Sequence, residues 1–108
     1  MGIKDNLVNF KFTSEIVEIE GEEYIIKEMS SGQAVAYETS LYRMVGTQPV
    51  LNMQNAKSTL ISICLYDKDG VKIFEDKDIE LINNMPAKLV NKLFDACSKI
   101  NGIGEIKN

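Results

Sequence analysis

Histidine is absent from all 108 residues. That removes the side chain most used for acid–base work near neutral pH, the commonest metal ligand and the usual activator of a serine or cysteine nucleophile. Cysteine is scarce: Cys64 sits in the apolar run Ile63-Cys64-Leu65, Cys97 lies within a helical pattern, and the two form no Cys-x-x-Cys pair. Both are expected to be buried, reduced and inert, as in cytosolic proteins. Long apolar runs are missing as well, and Met1 to Phe12 holds no signal-type apolar stretch. Neither secretion nor a membrane span is expected. Positive charge is in deficit, with 12 Lys plus Arg against 16 Asp plus Glu, a net charge of -4 and a pI near 4.8. Phosphate contacts need a basic surface, so no nucleic-acid partner is expected.

What the chain does have is enough apolar content, 44%, for one modest core. A chain of 12.1 kDa buries roughly 65% of its unfolded surface without metal or disulfide staples, so residues 1–108 are read as a single domain. Residues 1–12 lack a clear period and are read as a loosely held arm, with Val8, Phe10 and Phe12 adding an edge strand. Within 15–29, Val17 and Ile19 alternate with Glu18 and Glu20, and Gly21 separates them from a second β-rich run from Tyr24 to Met29, which predicts a β-hairpin. Residues 30–102 read as mainly helical and 103–108 as a frayed tail. The fold class is α+β, an N-terminal β-hairpin or small antiparallel sheet packed against about four α-helices.

The helical part is punctuated by capping chemistry. Ser30-Ser31-Gly32-Gln33 fits a capping box, and Ala34, Tyr37, Leu41 and Met44 share one helical face, which predicts a helix over 31–45 ended by Gly46 and Pro49. Met53, Ala56, Leu60, Ile61 and Cys64 recur at helical spacing, which favours a second helix, begun near Asn52 or Asn55 with Asn52 able to cap its first turn, over a buried strand at Leu60 to Leu65. Asp67-Lys68-Asp69-Gly70 is a turn, and Val71 to Phe74 a short extended piece. Glu75, Asp76 and Asp78 then mark the start of a short helix that Asn83-Asn84 stops. Pro86 opens the last helix, with Leu89, Val90, Leu93, Phe94, Cys97 and Ile100 on its apolar side and Gly102 at its end.

Candidate sites are few. Glu20, Glu22 and Glu23 crowd the hairpin tip without an oxygen-ligand spacing, and a solvated turn explains them. Asp67, Asp69, Glu75, Asp76 and Asp78 form an acidic stretch, but an EF-hand loop would need an oxygen ligand at Val71 and a glycine at Lys72. Ser30, Ser31, Ser40, Ser58, Ser62 and Ser98 have no nucleophile elbow around them, and Asn101-Gly102-Ile103-Gly104 follows a helix where a phosphate-binding loop would follow a strand. Met29, Met44, Met53 and Met85 lie near element ends, where they either fill the core, the favoured reading, or offer an adaptable binding surface. Tyr24, Tyr37, Tyr42 and Tyr66 pose the same choice, and the five-residue spacing of Tyr37 and Tyr42 would turn one of that pair outward. No catalytic residue, metal ligand or cofactor is expected, and the residues of a partner-binding site are not assigned.

The order of these motifs carries more than any one of them. The run Tyr24-Ile25-Ile26-Lys27-Glu28-Met29 is followed by the Ser-Ser-Gly-Gln helix start and by Leu65-Tyr66-Asp67-Lys68-Asp69-Gly70-Val71-Lys72-Ile73-Phe74. Asp78-Ile79-Glu80-Leu81-Ile82 then leads to Leu93-Phe94-Asp95-Ala96-Cys97-Ser98-Lys99-Ile100-Asn101-Gly102. From about Glu15 to Gly102 the chain resembles the tail assembly chaperones of long-tailed bacteriophages. The resemblance implies a non-enzymatic protein of the host bacterial cytoplasm, acting in phage or prophage tail morphogenesis, with the tape-measure protein as partner. The tail-tube protein and a second copy of the chain are candidates for further partners. Neither nucleic acid nor a membrane is among them. The rival readings are a small structural virion protein of the tail or head–tail junction and, resting only on the acidic stretch, a small metal-dependent enzyme.

Overall fold

The computed structural model describes residues 2–103, so Gly104 and the rest of the expected tail lie outside the described residues. In chain order the elements are α1 (Ile3–Val8), β1 (Ser14–Ile19), β2 (Glu22–Lys27), α2 (Ser31–Ser40), β3 (Tyr42–Val45), β4 (Gln48–Leu51), α3 (Ala56–Cys64), β5 (Leu65–Asp67), a 3-10 turn (Asp76–Asp78), α4 (Ile79–Asn83) and α5 (Ala87–Asn101). The architecture is α+β, with a three-stranded antiparallel sheet in the order β1-β2-β5 and a separate two-stranded sheet of β3 and β4.

The expected first hairpin is present. Its two loop residues, Glu20 (φ 53°) and Gly21 (φ 84°), are both left-handed, the loop whose twist matches that of paired strands. Val17 pairs with Tyr24 and Glu15 with Ile26, and Ile26 also pairs with Leu65 of β5. This register puts Val17, Ile19, Tyr24, Ile26 and Leu65 on the core face of the sheet. On the opposite face Ile25 lies beside Tyr66, and Lys27 Nζ stands 4.6 Å from the Tyr66 ring centroid.

Four boundaries differ from the sequence expectation. Val8, Phe10 and Phe12 add no edge strand: Ile3 to Val8 is helical instead, with Asp5 in its first turn. Pairing with β2 stops at Thr13, whose carbonyl accepts from Glu28 N–H at 2.9 Å while its own N–H donates to Glu28 Oε1 at 2.9 Å. The helix expected over 31–45 ends at Ser40, because Tyr42-Arg43-Met44-Val45 pairs across Gly46 (φ 68°) with Gln48-Pro49-Val50-Leu51. Its start is the expected capping box, with Ser30 Oγ accepting from Gln33 N–H at 3.1 Å and Gln33 Oε1 from Ser30 N–H at 2.9 Å. Asn52 does not cap α3: its Oδ1 accepts from Gln54 N–H at 3.1 Å in a turn ahead of the helix, and Asn55 takes the N-cap position. Pro86 sits one place before α5, with its carbonyl accepting from Val90 N–H.

Helix α3 is the spine of the core. It packs against α5, α4 and α2, and Ala56, Ser58, Leu60, Ile61, Ser62 and Cys64 are buried, so it is enclosed around much of its circumference. It passes without a loop into β5, since its C-cap Leu65 is already extended. The core it organises contains Ile26, Met29, Tyr37, Leu60, Ile61, Cys64, Leu65, Ile82, Leu93 and Cys97. At the end of α5, Gly102 is left-handed at φ 69° and Ile103 N–H donates to the Ser98 carbonyl at 2.8 Å, a Schellman closure.

Candidate binding surface

Two of the acidic groups singled out in the sequence, Asp67 and Asp78, hold local turns. Asp67 Oδ1 accepts from the N–H groups of Asp69 and Val71, both at 2.9 Å, holding the turn that Gly70 (φ 84°) completes. Asp78 Oδ2 accepts from Glu75 N–H at 2.9 Å at the start of the 3-10 turn. Glu20, Glu22 and Glu23 are exposed at the hairpin tip. Among the described residues no group of three or more acidic or cysteine side chains is gathered as a metal-binding set. Four of the serines are engaged, Ser30 in the capping box, Ser40 through Oγ donating to the Tyr37 carbonyl, Ser58 to Asn83 Oδ1 and Ser62 to the Thr59 carbonyl, whereas Ser98 Oγ is buried without a partner among the described residues. Asn101-Gly102-Ile103 is the helix ending just described.

A polar junction that the sequence did not single out ties α5 to α3 and to the segment between β2 and α2. Asn101, at the end of α5, accepts from Met29 N–H at 2.8 Å through Oδ1. Its Nδ2 donates to the Cys97 carbonyl at 2.8 Å and to Cys64 Sγ at 3.5 Å. Cys64 and Cys97 are free thiols, 1% and 0% exposed. The Cys97 thiol is pushed up by donating its S–H to Cys64 and by burial, which disfavours its anion. Cys64 is drawn down by that S–H, against burial and with help from Asn101. Alkylating reagent is therefore expected to label neither thiol in the native chain at neutral pH and both after denaturation; rapid stoichiometric native labelling would overturn this placement.

Exposed apolar surface gathers along residues 3–12, where Ile3, Leu7, Val8, Phe10 and Phe12 are exposed, and at the hairpin that the sequence reading missed. None of the eight residues of β3 and β4 is buried. The register pairs Tyr42 with Leu51 and Met44 with Pro49 on one face, while Arg43 pairs with Val50 and Val45 with Gln48 on the other. The first face is wholly apolar, and Tyr42, Met44 and Leu51 are 54%, 63% and 54% exposed. A signal was present in the sequence, two β-prone runs around Gly46-Thr47, but the helical spacing of Leu41 and Met44 masked it. Of the methionines, Met29 is buried in the core, Met85 is partly buried, and Met44 and Met53 face outward. Tyr37 is buried and Tyr42 exposed.

Two concavities lie near this end of the chain and under the sheet. A cavity of about 350 Å³ opens beside the start of α3, lined by Met53, Lys57, Ser58, Asn83, Val90 and Asn91 among others. Lys57 Nζ there donates to Asn91 Oδ1 at 2.6 Å and lies 5.6 Å from the Phe94 ring centroid. A smaller apolar cavity of about 180 Å³ separates the sheet from α5 between Ile19, Tyr24, Phe74 and Leu89. Among the described residues no helix is long and apolar enough to cross a membrane.

No family model matches the chain, and no curated protein matches it. Among solved structures it is similar to the tail assembly chaperone of bacteriophage HK97, with a TM-score of 0.64 and 15% sequence identity. The match covers 90% of this chain and 95% of the HK97 chain. A sheet built on one hairpin, an enclosed central helix and a long capped C-terminal helix thus make up a chain with the fold of a phage tail assembly chaperone.

Proposed function

We propose that the chain is a tail assembly chaperone of a long-tailed phage or prophage, a non-catalytic protein that binds the tape-measure protein during tail building and keeps it from self-associating. The observation that carries this reading is the likeness to the HK97 chaperone along nearly the whole of both chains. The chemistry agrees with it. A very long helical protein carries apolar stripes that would associate with one another, and a small acidic domain with exposed apolar surface is suited to cover them. Its net charge of -4 would help to keep the loaded complex dispersed.

Co-expression of this chain with the tape-measure protein tests the reading directly. The soluble fraction of the tape-measure protein is expected to rise, the two are expected to co-purify, and binding should show a negative heat-capacity change from apolar burial. No gain in solubility and no co-purification would sink the proposal. Recovery of the chain at structural copy number from purified virions would favour the virion-component reading instead.

A further inference from the structure

We propose that the β3–β4 hairpin, together with the adjoining start of α3, is the docking surface, and that it takes an amphipathic helix whose apolar stripe is flanked by carboxylates. This rests on the chaperone reading above and gives it a place and a chemistry.

The apolar half of the argument is the face formed by Tyr42, Met44, Pro49 and Leu51. A two-stranded hairpin is marginal in water by itself, and this one has no buried residue and, among the described residues, no third strand. An exposed apolar face on so lightly supported an element is suited to being covered by another surface. The Cα radius of gyration, 15.4 Å, exceeds the value of about 13 Å for a compact chain of this length, consistent with projecting elements. Met53 continues the surface from the hairpin to the cavity beside α3. The thioethers of Met44 and Met53 suit a stripe of irregular side chains.

Charge supplies the other half. From Thr39 through Tyr66 the chain contains no carboxylate, although Asp plus Glu outnumber Lys plus Arg overall; its charged side chains there are Arg43 and Lys57. Arg43 belongs to the same hairpin but projects from its other face, with Val45 and Val50, and Lys57 lines the cavity. The carboxylates Glu18, Glu20, Glu22 and Glu23 gather instead around the turn of the β1–β2 hairpin. A helix edged with carboxylates is thus drawn to β3–β4 and repelled from β1–β2. A second copy could offer its acidic turn, but Glu20-Gly21-Glu22-Glu23 brings no apolar stripe to cover Tyr42, Met44 and Leu51.

Two synthetic helical peptides with the same leucine stripe, one flanked by Glu and one by Lys, provide the probes. Titrated against the full chain, the Glu-flanked peptide is expected to bind about tenfold more tightly at low salt. Met44→Asp with Leu51→Asp should weaken it by at least about tenfold while leaving the urea midpoint in place, since both positions are exposed. Arg43→Glu with Lys57→Glu should reverse the preference between the peptides. Equal binding of the peptides, or of the variants and the original chain, overturns the proposal, as does a hairpin substitution that dissolves an oligomer without changing peptide affinity. If the tape-measure protein co-purifies undiminished with the Met44→Asp, Leu51→Asp chain, this surface is wrong and the chaperone reading stands; if it fails to co-purify with the original chain, the chaperone reading itself fails.

Discussion

Leu93→Ala is expected to lower the unfolding free energy by about 3 kcal/mol, within the range for emptying a fully buried leucine site and a large part of what one small domain possesses. Leu93 is 2% exposed and belongs to the core built around α3. Its neighbour Phe94 looks equivalent on a helical wheel, yet its ring is only partly buried and lies beside Lys57. Phe94→Ala should therefore cost about half as much despite removing more atoms, because the deleted surface was partly in water already. Lys92 is exposed, and its replacement by alanine should stay within about 0.5 kcal/mol. Urea midpoints of the three variants check the order; a Phe94→Ala loss as large as that of Leu93→Ala would mean that α5 is rotated from the phase described.

Asn101→Leu is expected to cost about 2 kcal/mol although it conserves side-chain size. The substitution leaves Met29 N–H without an acceptor and Cys64 Sγ and the Cys97 carbonyl without the Asn101 donor, and stranding a buried polar group costs about 1–3 kcal/mol. Asn101→Ala adds a small void to the same loss and should be no better. A leucine variant as stable as the original chain would show that the junction is held by packing alone.

Much of this architecture was legible in residue order. The Ser30–Gln33 capping box, the turn at Asp67 to Gly70 and the closure at Gly102 each act within a few residues, so the chain carries their signal locally. The apolar stripe of α5 was equally plain. What misled was ambiguity of period: Leu41 and Met44 continue the helical phase of Ala34 and Tyr37, but the β-prone residues around Gly46-Thr47 found a better partner in one another. Asn101 was invisible as a junction because two of its three partners, Met29 and Cys64, are far from it in sequence, and only the assembled fold makes an asparagine at a helix end an organising residue. The exposed apolar face of Tyr42, Met44 and Leu51 was hidden for the related reason that it lies on the unrecognised hairpin. Met44 and Met53 were read as core before the structure turned them outward.

The order β1-β2-β5 has a kinetic consequence. β1 finds β2 across a two-residue loop, a local event of the microsecond class for hairpins. Leu65 must find Ile26 across α2, the second hairpin and all of α3, and the entropy of closing that long segment is lost before any contact offsets it. Because β5 is the direct continuation of α3, the helix and the third strand reach the sheet as one piece. The hairpin of β3 and β4, carried inside the closing loop, is a passenger in that step and remains free to meet another chain before the fold around it is complete.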